Sequence, residues 1–259
     1  MSLITVLVVV LNLNAAWAEV TGEEMNKANN PLTPMAAVNF HDYVQSSVFG
    51  TDETLNTLYL RAATPLKLWD MPQLMRVTLP YLPAALETPT STTSGLGDLS
   101  IFDIFLLKSG GTVEYGVGPL LVFPTADKDE TGAGKWQIGA AGVVMSPQSW
   151  GMVGALITYQ HDFAGDEDRP TQNIATVQPL VLWNLPYGIY LRSTGIWFFN
   201  WETGDYNMPV GAGAGKVWKF DGGTTMNLFA EPQWTVAHEG LYAPNYQTFV
   251  GLNFQFPLQ

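Results

Sequence analysis

With 259 residues, 11 Lys+Arg against 23 Asp+Glu and a net charge of −12, the chain repels phosphate backbones, which excludes nucleic acid as a partner. Apolar residues make up 47% and charged residues only 13%, so a disordered polar chain is excluded too, and 25 Gly, 17 Pro and 12% aromatic residues favour an all-β fold over a helical one whose outer faces need more charge. The absence of cysteine removes disulfide frameworks, thiolate metal sites and Cys nucleophiles.

Residues 3–11 form an apolar run of the length of a signal h-region, and Ala16-Trp17-Ala18 supply small residues at the two positions a cleavage site requires. No Lys or Arg precedes Lys27, so only the terminal amine stands for the positive n-region. Export with cleavage after Ala18 is the expectation; a short buried strand or an anchor helix is the alternative. Beyond residue 18 no stretch reaches the ~18 to 20 uninterrupted apolar residues of a transmembrane helix. Residues 19–50 read as an N-terminal extension, either a plug or a first strand, and residues 51–259 as the main domain.

That domain consists of alternating segments. Tyr115, Val117, Pro119, Leu121 and Phe123 oppose Glu114, Gly116 and Gly118; Trp136, Ile138, Ala140 and Val144 oppose Lys135, Gln137 and Gly139. Val177, Pro179, Val181 and Trp183 oppose Thr176 and Gln178, and Val250, Leu252, Phe254 and Phe256 oppose Gly251, Asn253 and Gln255. In the segment 223–236 only Phe229 departs from the pattern. Each segment has one large apolar face and one small or polar face. Many run to the nine to eleven residues that a tilted membrane-spanning strand needs, about twice the usual soluble strand.

Strands are predicted at 55–63, 74–82, 97–107, 113–123, 135–146, 150–162, 173–184, 187–199, 208–219, 223–236 and 245–256. Residues 36–45 make an even twelfth, as closed bacterial barrels prefer. The predicted fold is an all-β, antiparallel transmembrane β-barrel of about 12 strands. Trp136, Trp150, Trp183, Tyr187, Trp197, Trp201, Trp218, Trp234 and Tyr246 are candidates for the interfacial aromatic girdles.

Seven short motifs occur in order: Gly95-Leu96-Gly97-Asp98; Gly116-Val117-Gly118-Pro119 leading to Phe123-Pro124-Thr125-Ala126; Gly132-Ala133-Gly134-Lys135-Trp136; Phe163-Ala164-Gly165-Asp166 with Asp168-Arg169-Pro170; Gln178-Pro179; Asn200-Trp201-Glu202; and Pro209-Val210-Gly211. As a set, over residues 30–257, they resemble the transporter-like bacterial outer-membrane family associated with the meta-pathway of phenol degradation. The resemblance implies an outer-membrane barrel passing small hydrophobic or aromatic compounds, with no catalytic residues to carry over. Such barrels commonly finish at an aromatic residue read by the barrel-assembly machinery; here Pro257-Leu258-Gln259 follow Phe256.

Parity assigns Arg76, Glu114, Lys135, Gln178, Arg192, Glu231, Asn253 and Gln255 to the lumen, where water or an opposite charge compensates them and where they would set selectivity. Asp103 takes no face, because Leu99, Ile101, Phe105 and Leu107 on its own parity are apolar. His41, His161 and His238 each precede a carboxylate, but neighbours on a strand point to opposite faces. No nucleophile elbow occurs, and the loop 127–132 lacks the ligand spacing of a calcium loop, although lipopolysaccharide phosphates could share a cation with it. The sequence therefore predicts a channel or transporter with no catalytic residue, metal or cofactor, whose partners are outer-membrane lipid, lipopolysaccharide and a small solute. Competing readings are a sealed structural or adhesive barrel, a lipid-modifying barrel enzyme using His161 or His238, and a soluble periplasmic β-protein.

Overall fold

A computed structural model describes residues 20–68 and 70–258; the expected cleavage site after Ala18 lies outside the described residues. The chain opens with helix α1 (Gly22–Asn29) and continues as strands β1 (Ala36–Val48), β2 (Leu55–Leu68), β3 (Met71–Thr88), β4 (Ser91–Leu96), β5 (Leu99–Lys108), β6 (Glu114–Phe123), β7 (Lys135–Gln148) and β8 (Gly151–Gly165). It ends with β9 (Asn173–Asn184), β10 (Ile189–Ser193), β11 (Trp197–Asn200), β12 (Tyr206–Gly211), β13 (Gly213–Lys219), β14 (Thr225–Glu239) and β15 (Pro244–Phe256). All pairings are antiparallel, and β15 closes on β1 with Phe256 opposite Ala36 and Val250 opposite Asp42.

The wall has twelve strands because three of them are interrupted. β4 and β5 both pair with β3, β10 and β11 both pair with β9, and β12 and β13 both pair with β14. The expected continuous strands 187–199 and 208–219 are thus broken, at residues 194–196 and at Ala212. Pro209 and Pro232 stand beside these breaks and lack the N–H a ladder needs.

The outer face of the wall carries large exposed apolar side chains. Along β7, Lys135, Gln137, Ala141 and Met145 are buried inside, whereas Trp136 and Ile138 are each 43% exposed outside. Apolar side chains facing out and small or polar ones facing in match a wall bathed in lipid. Short turns, including residues 149–150 and 185–188, lie at the end where β1 begins; longer loops 124–134, 166–172 and 201–205 lie at the other. Trp150 packs on Trp183 at the first end (5.0 Å between centroids) and Trp136 on Phe123 at the second (5.4 Å). Trp218 leaves the expected girdle set: it is 4% exposed, with Lys216 against its ring.

Candidate functional site

Residues 20–33 lie inside the barrel at the end with short turns. Thr21 begins α1 through a reciprocal cap: its N–H donates to Glu24 Oε2 (2.8 Å), and the Glu24 N–H donates to its Oγ1 (3.3 Å). Val20, Met25, Ala28 and Leu32 bury their apolar surface against inward residues of the wall such as Met145, Leu182 and Val217. Polar anchors come from around the circumference. Asn26 donates to the Gln148 carbonyl (2.9 Å), Asn184 to the Gly22 carbonyl (3.1 Å), Asn227 to Asn29 Oδ1 (2.9 Å) and Lys219 to Glu24 (2.5 Å). The hydrogen bond from Lys219 first, and that from the Thr21 backbone next, lower the pKa of Glu24 from its ordinary value.

Above α1 the lumen is crossed by a septum of rings and guanidinium groups. Tyr43 stacks on Phe249 (4.2 Å), and Phe229 meets Phe249 edge to face (4.8 Å). Arg192 lies 3.4 Å above the Phe229 ring, and Arg61 lies 4.7 Å from the centre of the Tyr59 ring. The septum separates an outer chamber of about 340 Å³ near the loops from an inner chamber of about 150 Å³ next to residues 28–35. Arg61 borders both.

Arg192 is held by a closed network. Its Nε donates to Glu231 Oε2 (2.7 Å), and its Nη2 donates to Thr194 Oγ1 (2.6 Å), which in turn donates to Glu231 Oε2 (2.7 Å). Residues 194–196 form the gap between β10 and β11, and the Thr194 N–H donates to Glu231 Oε1 (2.7 Å) in place of a ladder carbonyl. Gln233 donates to the same Oε1 (3.0 Å) and accepts from Gln247 (2.7 Å). Gly211 leaves room for the carboxylate, since a Cβ there would lie 2.1 Å from Oε1.

Arg61 and Arg76 have no carboxylate within ion-pair distance among the described residues. Arg61 Nη1 donates to His41 Nδ1 (2.6 Å), which requires a lone pair on that nitrogen; His41 is therefore the neutral Nε2–H tautomer, donating to Asn253 Oδ1 (2.8 Å). Arg76 lies 4.0 Å from the centre of the Phe102 ring.

Of the residues that parity assigned to the lumen, Arg76, Gln178, Arg192, Asn253 and Gln255 line the inner chamber. Glu231 stands behind Arg192. Glu114 points inward lower down, accepting from Asn30 Nδ2 (2.6 Å), and Lys135 points inward near the loops, 3.9 Å from Asp162. Sequence reasoning missed Arg61, His41, Phe229 and Phe249. Arg61 shares its parity with Tyr59 and Ala63 against Leu58 and Leu60, a usable signal. The three histidines are dispersed: His41 in the septum, His161 exposed, and His238 stacked on Phe49 (3.6 Å). The Asp162 carboxylate accepts from the Gln172 N–H, not from His161.

Several of the ordered motifs meet at the loop end. The Asp98 carboxylate accepts the N–H groups of Ala126 (3.1 Å) and Ala133 (2.6 Å), and Thr125 Oγ1 accepts the Leu99 N–H (2.8 Å). Arg169 donates to the carbonyls of Asp129 and Gly132, tying the two acidic loops together. A Cβ at Gly132 would lie 2.2 Å from Ala126 Cβ. These residues build a loop platform, not a reactive centre.

No protein-family model matches the chain, and neither does any curated protein. Solved structures do. The crystal structure of the COG4313 outer membrane channel from Pseudomonas putida F1 superposes with a TM-score of 0.63 at 14% identity, covering 86% of this chain and 94% of that one. The NanC porin superposes with a TM-score of 0.52 at 9% identity, covering 86% of this chain and all (100%) of that one. At such identities the likeness is one of fold: this chain is a closed, twelve-stranded antiparallel barrel whose structural neighbours are outer-membrane barrels.

Proposed function

We propose that this chain is an outer-membrane channel for small apolar or aromatic solutes, held shut by residues 20–33. The observation that carries the reading is the lumen: two chambers along one barrel, divided by a septum of ring and guanidinium contacts and stopped by a docked helix. A barrel serving only as a structural element has no need of an interior helix anchored through polar contacts to five strands. In this reading the end with short turns faces the periplasm, and the acidic loops face outward toward lipopolysaccharide. Delivery by a signal sequence cleaved after Ala18, insertion by the barrel-assembly machinery and membership of the phenol meta-pathway family belong to the same proposal, supported by the ordered motifs. The lumen residues act without cofactor, as a selectivity lining.

Single-channel recording in planar bilayers tests the reading. The full-length protein is expected to conduct weakly and a variant lacking residues 20–33 steadily, while both keep the shifted electrophoretic mobility of a folded barrel. A folded deletion variant with no conductance overturns the channel reading in favour of a sealed barrel.

A further inference from the structure

We propose that the inner chamber is a binding site for a small organic carboxylate with an apolar body the size of one ring, the carboxylate held between Arg61 and Arg76. The inference rests on the lumen being a solute pathway and names the class of solute.

Register places both cations on one wall. Arg76 stands opposite Ala63 on β2, and Arg61 stands opposite Thr78 on β3, so the two arginines are diagonal neighbours on the inner face, about 7–8 Å apart at their origins, and both line the same chamber. Arg76 is half-buried and lines the chamber. The Nε atoms of both side chains lack partners.

Charge does not balance at this place. Three arginines line the chamber, no Asp or Glu does, and the carboxylate behind it, Glu231, is already occupied by Arg192, Thr194 and Gln233. Hydrogen bonding leaves His41 neutral. Two guanidinium groups removed from bulk water without a counter-charge are unfavourable, and ring contacts with Tyr59 and Phe102 offset only part of that. A carboxylate in the chamber supplies the missing counter-charge through charge-assisted hydrogen bonds from their Nη groups.

The rest of the chamber selects the body. Ile104, Val143, Leu156, Leu180 and Leu182 present an apolar wall, and the volume of about 150 Å³ is that of a cavity which accepts a single benzene ring. Asn39 and Asn253 complete a polar side around the arginines. The acidic loops oppose the approach of an anion from outside, but their field fades over ~8 Å at physiological salt.

Titration calorimetry on the full-length protein in detergent decides the matter, with benzoate, benzyl alcohol and acetate as probes. Benzoate is expected to bind at least tenfold more tightly than benzyl alcohol, which lacks the charge, and than acetate, which lacks the ring. Arg61→Gln and Arg76→Gln are each expected to weaken benzoate tenfold or more without altering benzyl alcohol binding, and Arg76→Lys to weaken it less than Arg76→Gln. Equal affinity of the wild type for benzoate and benzyl alcohol overturns the inference, a comparison that needs no variant. So do folded Gln variants with unchanged benzoate affinity. Because binding is measured without a membrane, conductance without benzoate binding overturns this inference alone, and benzoate binding without conductance from the deletion variant overturns the channel reading alone.

Discussion

Arg192 Nε stands 2.7 Å from Glu231 Oε2, and the Glu231 side chain has no exposed surface. The carboxylate serves both as counter-ion to the guanidinium and as acceptor for the Thr194 N–H that the strand break releases. Removing it leaves a cation and a backbone donor unpaired at one place. Glu231→Ala is therefore expected to destabilise the barrel by about 3–5 kcal/mol, the cost of leaving one member of a buried pair uncompensated. Gly211→Ala, whose new methyl would displace the same carboxylate, shifts stability in the same direction. Urea unfolding in lipid vesicles measures both, and an unchanged midpoint for Glu231→Ala refutes the account.

The Glu24–Lys219 contact makes helix docking depend on pH. Glu24 has its pKa lowered from an ordinary 4.5 when docked, by the Lys219 hydrogen bond first. A depressed carboxylate contributes stability that is fully present above the undocked value and disappears as pH falls through the docked one. On the proposed channel reading, conductance of the full-length protein is thus expected to rise as pH drops below about 4.5. Glu24→Gln should abolish that rise and leave the channel more open at neutral pH. A Glu24→Gln channel with wild-type acid response would show that another group controls docking.

Asp103 faces lipid. Phe102 and Ile104 on either side of it line the inner chamber, so the pleat turns Asp103 outward near the middle of β5, beside Met75. Its Oδ1 has no hydrogen-bond partner. Outward charge at membrane mid-depth costs a barrel a few kcal/mol, less for carboxylates than for Arg or Lys. Asp103→Leu is expected to stabilise the protein by about 1–2 kcal/mol in vesicle unfolding. Destabilisation would mean that the carboxylate meets a partner outside this chain.

Arg169 is the clasp between the two acidic loops, holding the carbonyls of Asp129 and Gly132. Arg169→Ala should free the loop 124–134 while leaving the wall intact. Limited trypsin digestion after Lys128 is expected to speed up several-fold. An unchanged cleavage rate would mean that Asp98, through its bonds to Ala126 and Ala133, holds the loop alone.

Alternation made the fold legible because a lipid-bathed wall imposes a strict two-residue period on any strand with a small or polar inner face, as in β7 and β15. It failed where the inner face is itself apolar. Phe102, Ile104 and Leu106 are buried inside β5 while Ile101, Phe105 and Leu107 face out, so both parities look alike and Asp103 had no readable side. Phe229 broke the pattern of its strand for a related reason: it belongs to the septum, where rings from β1 and β15 replace water.

The sequence by itself determined the class of fold, most of the strands and the parity of most side chains, since these follow from local periodicity and segment length. Only the tertiary structure decided which charges meet. Arg192 pairs with Glu231, 39 residues away, whereas Arg61 and Arg76 pair with no carboxylate, because antiparallel register and barrel closure set distances across the lumen that no local pattern encodes. The same closure assigned residues 36–48 to the wall and α1 to the interior. A helix of eight residues is too short to persist alone in water, and it forms here because the barrel supplies its apolar and polar partners.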